Sequence, residues 1–143
     1  CNCKVFKNKI MSVSNININP RIIAIQKLYS YHLNKDEIIK YPKHRFKKFI
    51  KDIVVGTIER EEHLLDNLKV ILKDEFNPAR TDLILKLMIL SATFELMFSH
   101  KTPVNVIVSE YVKISDFFLE NAHKGYLNAI LDKVSKNVRK NVE

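Results

Sequence analysis

Apolar residues recur along this chain at steps of three and four, the period of helices that bury one face. Ile22, Ile25, Leu28, Tyr29 and His32 form the first stripe, preceded by Asn19 and Pro20, which suit an N-cap and the first helical turn. Residues 34–42 contain a proline breaker and read as a loop or short turn. From Lys43, the side chains of Phe46, Phe49, Ile50, Ile53 and Val54 repeat in one phase. Gly56 then marks a bend, a helix end or the close approach of another helix. Leu64, Leu65, Leu68, Ile71 and Leu72 make the next stripe, and Asn77-Pro78 closes it, because the residue before proline avoids the helical region. Residues 81–98 are apolar almost all round and predict the helix on which most others pack. Thr102 and Pro103 fit the N-cap and first position of a helix bearing Val106, Ile107, Val108, Tyr111, Val112 and Ile114. That run is β-branched, but its spacing and its proline favour helix over strand. The last helix aligns Leu127, Ile130, Leu131, Val134 and Val138. Lys133, Lys136, Arg139 and Lys140 load its end with cations, which the helix dipole favours.

The chain has 143 residues, with 46% apolar and 28% charged side chains, the mix of a globular protein. A domain of this size buries roughly 68–70% of its unfolded surface, enough for a core without metal or disulfides. Only two glycines and four prolines occur, too few for the turns of a β-rich fold. The prediction is an all-α chain of long helices joined by short loops. Residues 1–19 are polar and aperiodic and read as a flexible N-terminal arm, followed by one helical domain over 20–143. Met11 precedes Ser-Val-Ser and reads as the start of translation, which makes residues 1–10 upstream or non-native sequence. The two cysteines, Cys1 and Cys3, make no zinc site, and their absence elsewhere suits a reducing cytoplasm. The most apolar span, 83–99, is interrupted by Lys86 and Glu95 and is short for a membrane crossing, so no membrane association is expected.

The formal charge of +8 favours polyanionic partners, although a lysine-rich surface from a biased genome produces the same number. Candidate catalytic chemistry is sparse. No Gly-rich phosphate loop, His-Glu-x-x-His or Gly-x-Ser-x-Gly occurs. His32, His44, His63, His100 and His123 are scattered, and Glu59, Glu61 and Glu62 with Arg60 read as a solvated helix face. Neither catalysis nor a cofactor nor a metal is expected. Residues 40–51, KYPKHRFKKFIK, hold six Lys or Arg in twelve positions with Phe46 and Phe49 interleaved. Such a segment can bind phosphates and stack a base. Both rings, however, lie in phase with Ile50 and Ile53 and are expected to face the core. Further cations are Arg21 and Lys27 in the first helix, Lys4, Lys7 and Lys9 on the arm, and Lys124 beside Tyr126. Tyr126 sits one position before the last apolar stripe, where a tyrosine tolerates a half-wet site and either packs or stacks on RNA.

The order of several motifs resembles the NusB family of bacterial transcription antitermination factors, over roughly residues 20–140. Arg21, Ala24, Gln26, Leu28 and Tyr29 match the family's first helix, and Leu65-Asp66 its third. Glu95-Leu96, with Phe94 in place of tyrosine, matches the end of the central helix. Pro103, Val106 and Glu110 match the next helix, and Asn128, Leu131 and Asp132 the last. The resemblance implies a compact all-α fold of two packed helical bundles. It implies binding to boxA RNA together with NusE, a small-subunit ribosomal protein, within an RNA polymerase antitermination complex on ribosomal RNA operons. By that likeness Arg21 and Tyr126 contact RNA, with Lys27 and Lys124 as neighbouring cations. Tyr29, Leu85 and Lys86 are the expected partner-binding residues.

The sequence departs from the family in four places. Residues 15–19, NININ, replace an arginine-rich tract, and Leu90 replaces an arginine in the central helix. Ser109 replaces an asparagine, and Gly125 stands where a basic residue is common. These departures imply weaker RNA affinity or greater reliance on the partner. The alternative reading is a helical adaptor that binds only protein. Relatives fused to RNA cytosine methyltransferases suggest a third, but no cofactor domain is present in this sequence.

Overall fold

The computed structural model describes residues 19–139. The arm expected over residues 1–19, apart from Asn19, lies outside them, as do the lysines at 4, 7, 9 and 140. Helix α1 spans Pro20–Leu33, α2 Lys47–Glu59, α3 Glu61–Leu72, α4 Leu83–Phe98, α5 Val104–Phe118 and α6 Asn121–Val138, with a 3-10 turn at Lys73–Glu75. No strand occurs among the described residues, in keeping with the all-α expectation.

Local chemistry sets the starts of three helices. The Asn19 side chain accepts a hydrogen bond from the Arg21 amide (2.9 Å), and Pro20 occupies the first turn, so this N-cap forms as the sequence suggests. Helix α2 starts four residues later than expected. Pro42 precedes a turn in which His44 Nδ1 accepts from the Phe46 amide (2.9 Å) and His44 O from the Lys47 amide (3.2 Å). Phe46 is therefore the cap of α2 and not one of its core positions; it is 48% exposed, against the inward orientation expected for it. Phe49, one turn further on, packs on the core as expected. Helix α5 is similarly displaced by one residue: Pro103 is extended (ψ 147°) and is the cap itself.

α4 packs against all five other helices, which explains why it is apolar around its circumference. Its Leu87, Met88, Ile89, Leu90, Ala92 and Leu96 have no exposed surface. The polar positions in this wall are satisfied internally. Thr93 Oγ1 donates to Ile89 O (2.7 Å), and Ser91 Oγ pairs with the Tyr111 hydroxyl (2.6 Å). α1 and α2 pack on each other and on α4; α3, α5 and α6 close around the rest of it.

Gly56 resolves into the third of its readings, a close approach by another helix. A Cβ built there would lie 2.2 Å from Cζ of Phe94 on α4. Gly56→Ala is expected to destabilise the fold by about 1 kcal/mol, since overpacking exceeds the gain in helix propensity. In a Phe94→Ala background the same change should stabilise by roughly 0.5–1 kcal/mol. Chemical denaturation of the four proteins measures this cycle, and equal effects in both backgrounds would rule out the contact.

Candidate nucleic-acid interface

The cations and aromatics singled out by the sequence fall into separate groups. The first lies where α1 enters the core. Arg21 Nε and Nη2 donate to the two carboxylate oxygens of Glu95 on α4 at 2.9 and 2.7 Å. The guanidinium also lies 4.9 Å from the Phe49 ring centre and 5.7 Å from that of Tyr111. Asn19 Nδ2 extends the cluster by donating to Glu110 on α5 (3.0 Å). Burial alone would lower the pKa of Arg21, but the hydrogen bond and charge of Glu95 outweigh it and hold the group above its ordinary value. Burial, and then the negative charge of Glu95, push the Tyr111 phenol well above its usual range, so it remains a neutral donor or acceptor. Arg21 is only 8% exposed, and its fork is already bidentate to a carboxylate.

The second group surrounds the start of α6. Tyr126 is half-buried, and its hydroxyl donates to the Glu75 carbonyl (2.7 Å) in the 3-10 turn. Lys133 reaches the Glu75 carboxylate (2.9 Å), and Lys124 pairs with Asp116 at the end of α5. Burial, then Glu75, raises the Tyr126 pKa. Lys124 and Tyr126 are two positions apart and so point to different sides of the helix. No hydrogen bond, ion pair or ring contact joins this group to Arg21 among the described residues. Lys27 belongs to neither group. It lines a groove of about 260 Å³ between α1 and the following loop, with Tyr31, Asn34, Glu37, Ile39 and Lys40. Burial lowers its pKa, partly offset by Glu37.

The three residues expected at a partner surface differ in accessibility. Tyr29 and Leu85 are 3% and 4% exposed and belong to the core, whereas Lys86 is half-buried at the start of α4.

Three features escaped sequence reasoning. Glu95 has no exposed surface, and the signal for its buried partner was an acid inside a helix apolar all round. Glu61, read as solvated, lies 2.7 Å from His32 Nε2 and so ties α3 to α1. Arg139 was read as favouring the dipole of its own helix. It instead crosses to α4 and donates to the carbonyls of Leu96, Ser99 and Thr102 at 2.7–2.8 Å and Glu95 at 3.2 Å. Its signal was a cation placed one turn beyond Val134 and Ser135 on the buried side of α6.

Arrangement and sequence agree with one family: its model, the NusB family, matches residues 18–136. The chain belongs to the NusB family. Among similar relatives is a transcription antitermination protein NusB from Allorhizobium ampelinum, 27% identical over 136 residues, covering 83% of this chain and 85% of the relative. The Sphingopyxis alaskensis NusB is 26% identical over 137 residues, covering 84% and 92%. The Mesorhizobium japonicum NusB reaches 34% over 92 residues, covering 64% and 59%. The crystal form of T. maritima NusB superimposes with a TM-score of 0.71 at 20% identity, covering 82% of this chain and 88% of that one, which establishes a shared fold. Among the described residues no three His, Cys, Asp or Glu side chains gather as a metal site, and no helix is long and apolar enough to cross a membrane.

Proposed function

We propose that this NusB-family chain is a non-catalytic, RNA-binding transcription antitermination factor acting in the cytoplasm. In this reading it binds boxA RNA of ribosomal RNA operons together with NusE, as part of an RNA polymerase antitermination complex. The observation that carries the reading is the family match across 18–136, joined to relatives named as transcription antitermination proteins. The net charge of +8 supports a polyanionic ligand.

The exposed part of the Tyr126 ring forms the RNA contact, while Lys124, on another side of α6, and Lys27, on α1, add positive charge to the field around it. Arg21 is not part of this surface. Its tie to Glu95 fixes the start of α1, so it positions the helix without offering its fork to phosphate. At the partner surface Lys86 makes the contact, while Tyr29 and Leu85 give the underlying helices their shape.

Fluorescence anisotropy of a boxA RNA and a scrambled control, with and without NusE, tests the proposal. Selective binding that tightens with NusE is expected. Equal, weak binding to both RNAs, unchanged by NusE, would leave the protein-only adaptor as the better reading. In the same assay Tyr126→Ala should weaken boxA binding by about 1–3 kcal/mol through loss of ring stacking. Unchanged affinity with a lowered Tm would place the ring's role in packing against Glu75 instead.

A further inference from the structure

The most basic segment of the chain is not used by the site described above. Residues 40–51 contain six Lys or Arg and no acid. In the structure Lys40, Lys43, Arg45, Lys47, Lys48 and Lys51 are all exposed. None of them makes an ion pair among the described residues, although Lys124 and Lys133 elsewhere do. In their midst Phe46 is 48% exposed. Its ring is not a loose side chain that happens to face water. The hydrogen-bonded turn through His44 fixes its backbone, and the Arg45 guanidinium lies 5.5 Å from its centre. The His44 ring lies 6.0 Å away on the same turn.

The electrostatics here are locally unfavourable. Lys47 and Lys48 are the first two residues of α2, at the positive end of its dipole. The helix has no acid in its first turn and no side-chain cap for its leading amides. A stability-optimised N-terminus carries acids there and not cations. Such a conflict between local preference and sequence is expected where a surface serves a ligand. An anion placed here would answer both the uncapped amides and the unpaired lysines.

We infer that the start of α2 is a second single-stranded RNA contact, in which Phe46 stacks one unpaired base and Arg45, Lys47 and Lys48 hold the flanking phosphates. A flat ring beside a planar guanidinium matches a nucleobase. An acidic peptide would use the cations but not the ring. A membrane surface would need apolar area around Phe46, where Lys, Arg and His stand instead. This contact is sequence-tolerant and independent of boxA selectivity, which belongs to the rim around Tyr126.

The test is binding of a fluorescein-labelled uridine 20-mer to the full chain at several salt concentrations. Wild type should bind, and Phe46→Ala should weaken binding about five- to a hundredfold, with Phe46→Tyr restoring it. The pair Lys47→Gln and Lys48→Gln should reduce the slope of log affinity against log salt by about 1.4, roughly 0.7 for each phosphate on a single strand. Thermal unfolding, measured alongside, should leave the Phe46 variants near the wild-type midpoint and should not lower that of the lysine pair, whose cations oppose the helix dipole. No binding by wild type, or equal binding by wild type and Phe46→Ala, would overturn the inference. So would competition by polyglutamate as effective as competition by unlabelled RNA. The ratio of boxA to scrambled affinity should be the same in wild type and Phe46→Ala; its absence in wild type would sink the boxA reading alone.

Discussion

Glu95→Ala is expected to destabilise this protein by about 3–5 kcal/mol, a large part of the stability of a single domain. Glu95 has no exposed surface, and Arg21, which it holds through both carboxylate oxygens, is 8% exposed. Removing the carboxylate leaves a guanidinium desolvated between Phe49 and Tyr111 without its bidentate acceptor. The cost comes from the stranded charge and not from the pair's own strength. The double variant Arg21→Met with Glu95→Leu should therefore recover most of the loss, because an apolar pair of similar volume leaves nothing unpaired. Urea denaturation of the three variants decides the matter. A Glu95→Ala loss under about 1 kcal/mol, or a double variant no better than the single one, would show that water or a rearranged side chain satisfies Arg21.

Arg139→Met is expected to cost about 2–4 kcal/mol, since hydrogen bonds to a charged donor contribute about 1.5–3 kcal/mol and buried carbonyls are left open. The four acceptors of Arg139 are the last carbonyls of α4 and those of the turn leading to α5, groups that a helix C-terminus cannot satisfy by itself. Arg139→Lys should rescue little, because an ammonium cannot reach four carbonyls spread over the fork's plane. The loss should also be local. The Ser99 and Thr102 amides, which donate to Glu95 O and Ser99 O at 2.9 and 3.0 Å, should exchange with solvent faster than amides in α1. Uniform acceleration across all helices, or none, would show that Arg139 does not fasten this corner.

These two arginines also explain how far the candidate site could be read in advance. Arg21 and Arg139 are both cations near helix ends, where a cation is usually solvated or, at a C-terminus such as that beside Arg139, matched to the dipole. Nothing within one turn of Arg21 distinguishes it from a surface lysine, and Arg139 offers only its place one turn beyond Val134 and Ser135. Their acceptors lie 74 and 37–44 positions away. Phe46 failed in the other direction: its phase with Ile50 and Ile53 was correct, but phase has meaning only inside a helix, and the His44 turn starts the helix after it. Tyr126 was the better case. One position off the apolar stripe, it was expected at a half-wet site, and there it lies, tied to Glu75 by its hydroxyl.

The sequence by itself determined the class of fold, the number and order of the main helices, and the centrality of α4. Those follow from quantities local to a segment: a period of three to four, proline and asparagine at an end, and an apolar circumference that only burial on all sides can satisfy. The order of its motifs also pointed to the family that the match over residues 18–136 established. Tertiary structure alone decided which polar groups are buried, which partner each has, and which aromatic faces water. A charge inside the core is tolerated only with a matched partner at hydrogen-bond distance, and that partner is brought there by helix packing across dozens of residues. Side-chain pattern along the chain records the demand for such a partner, as at Glu95, but packing in three dimensions selects Arg21 to meet it.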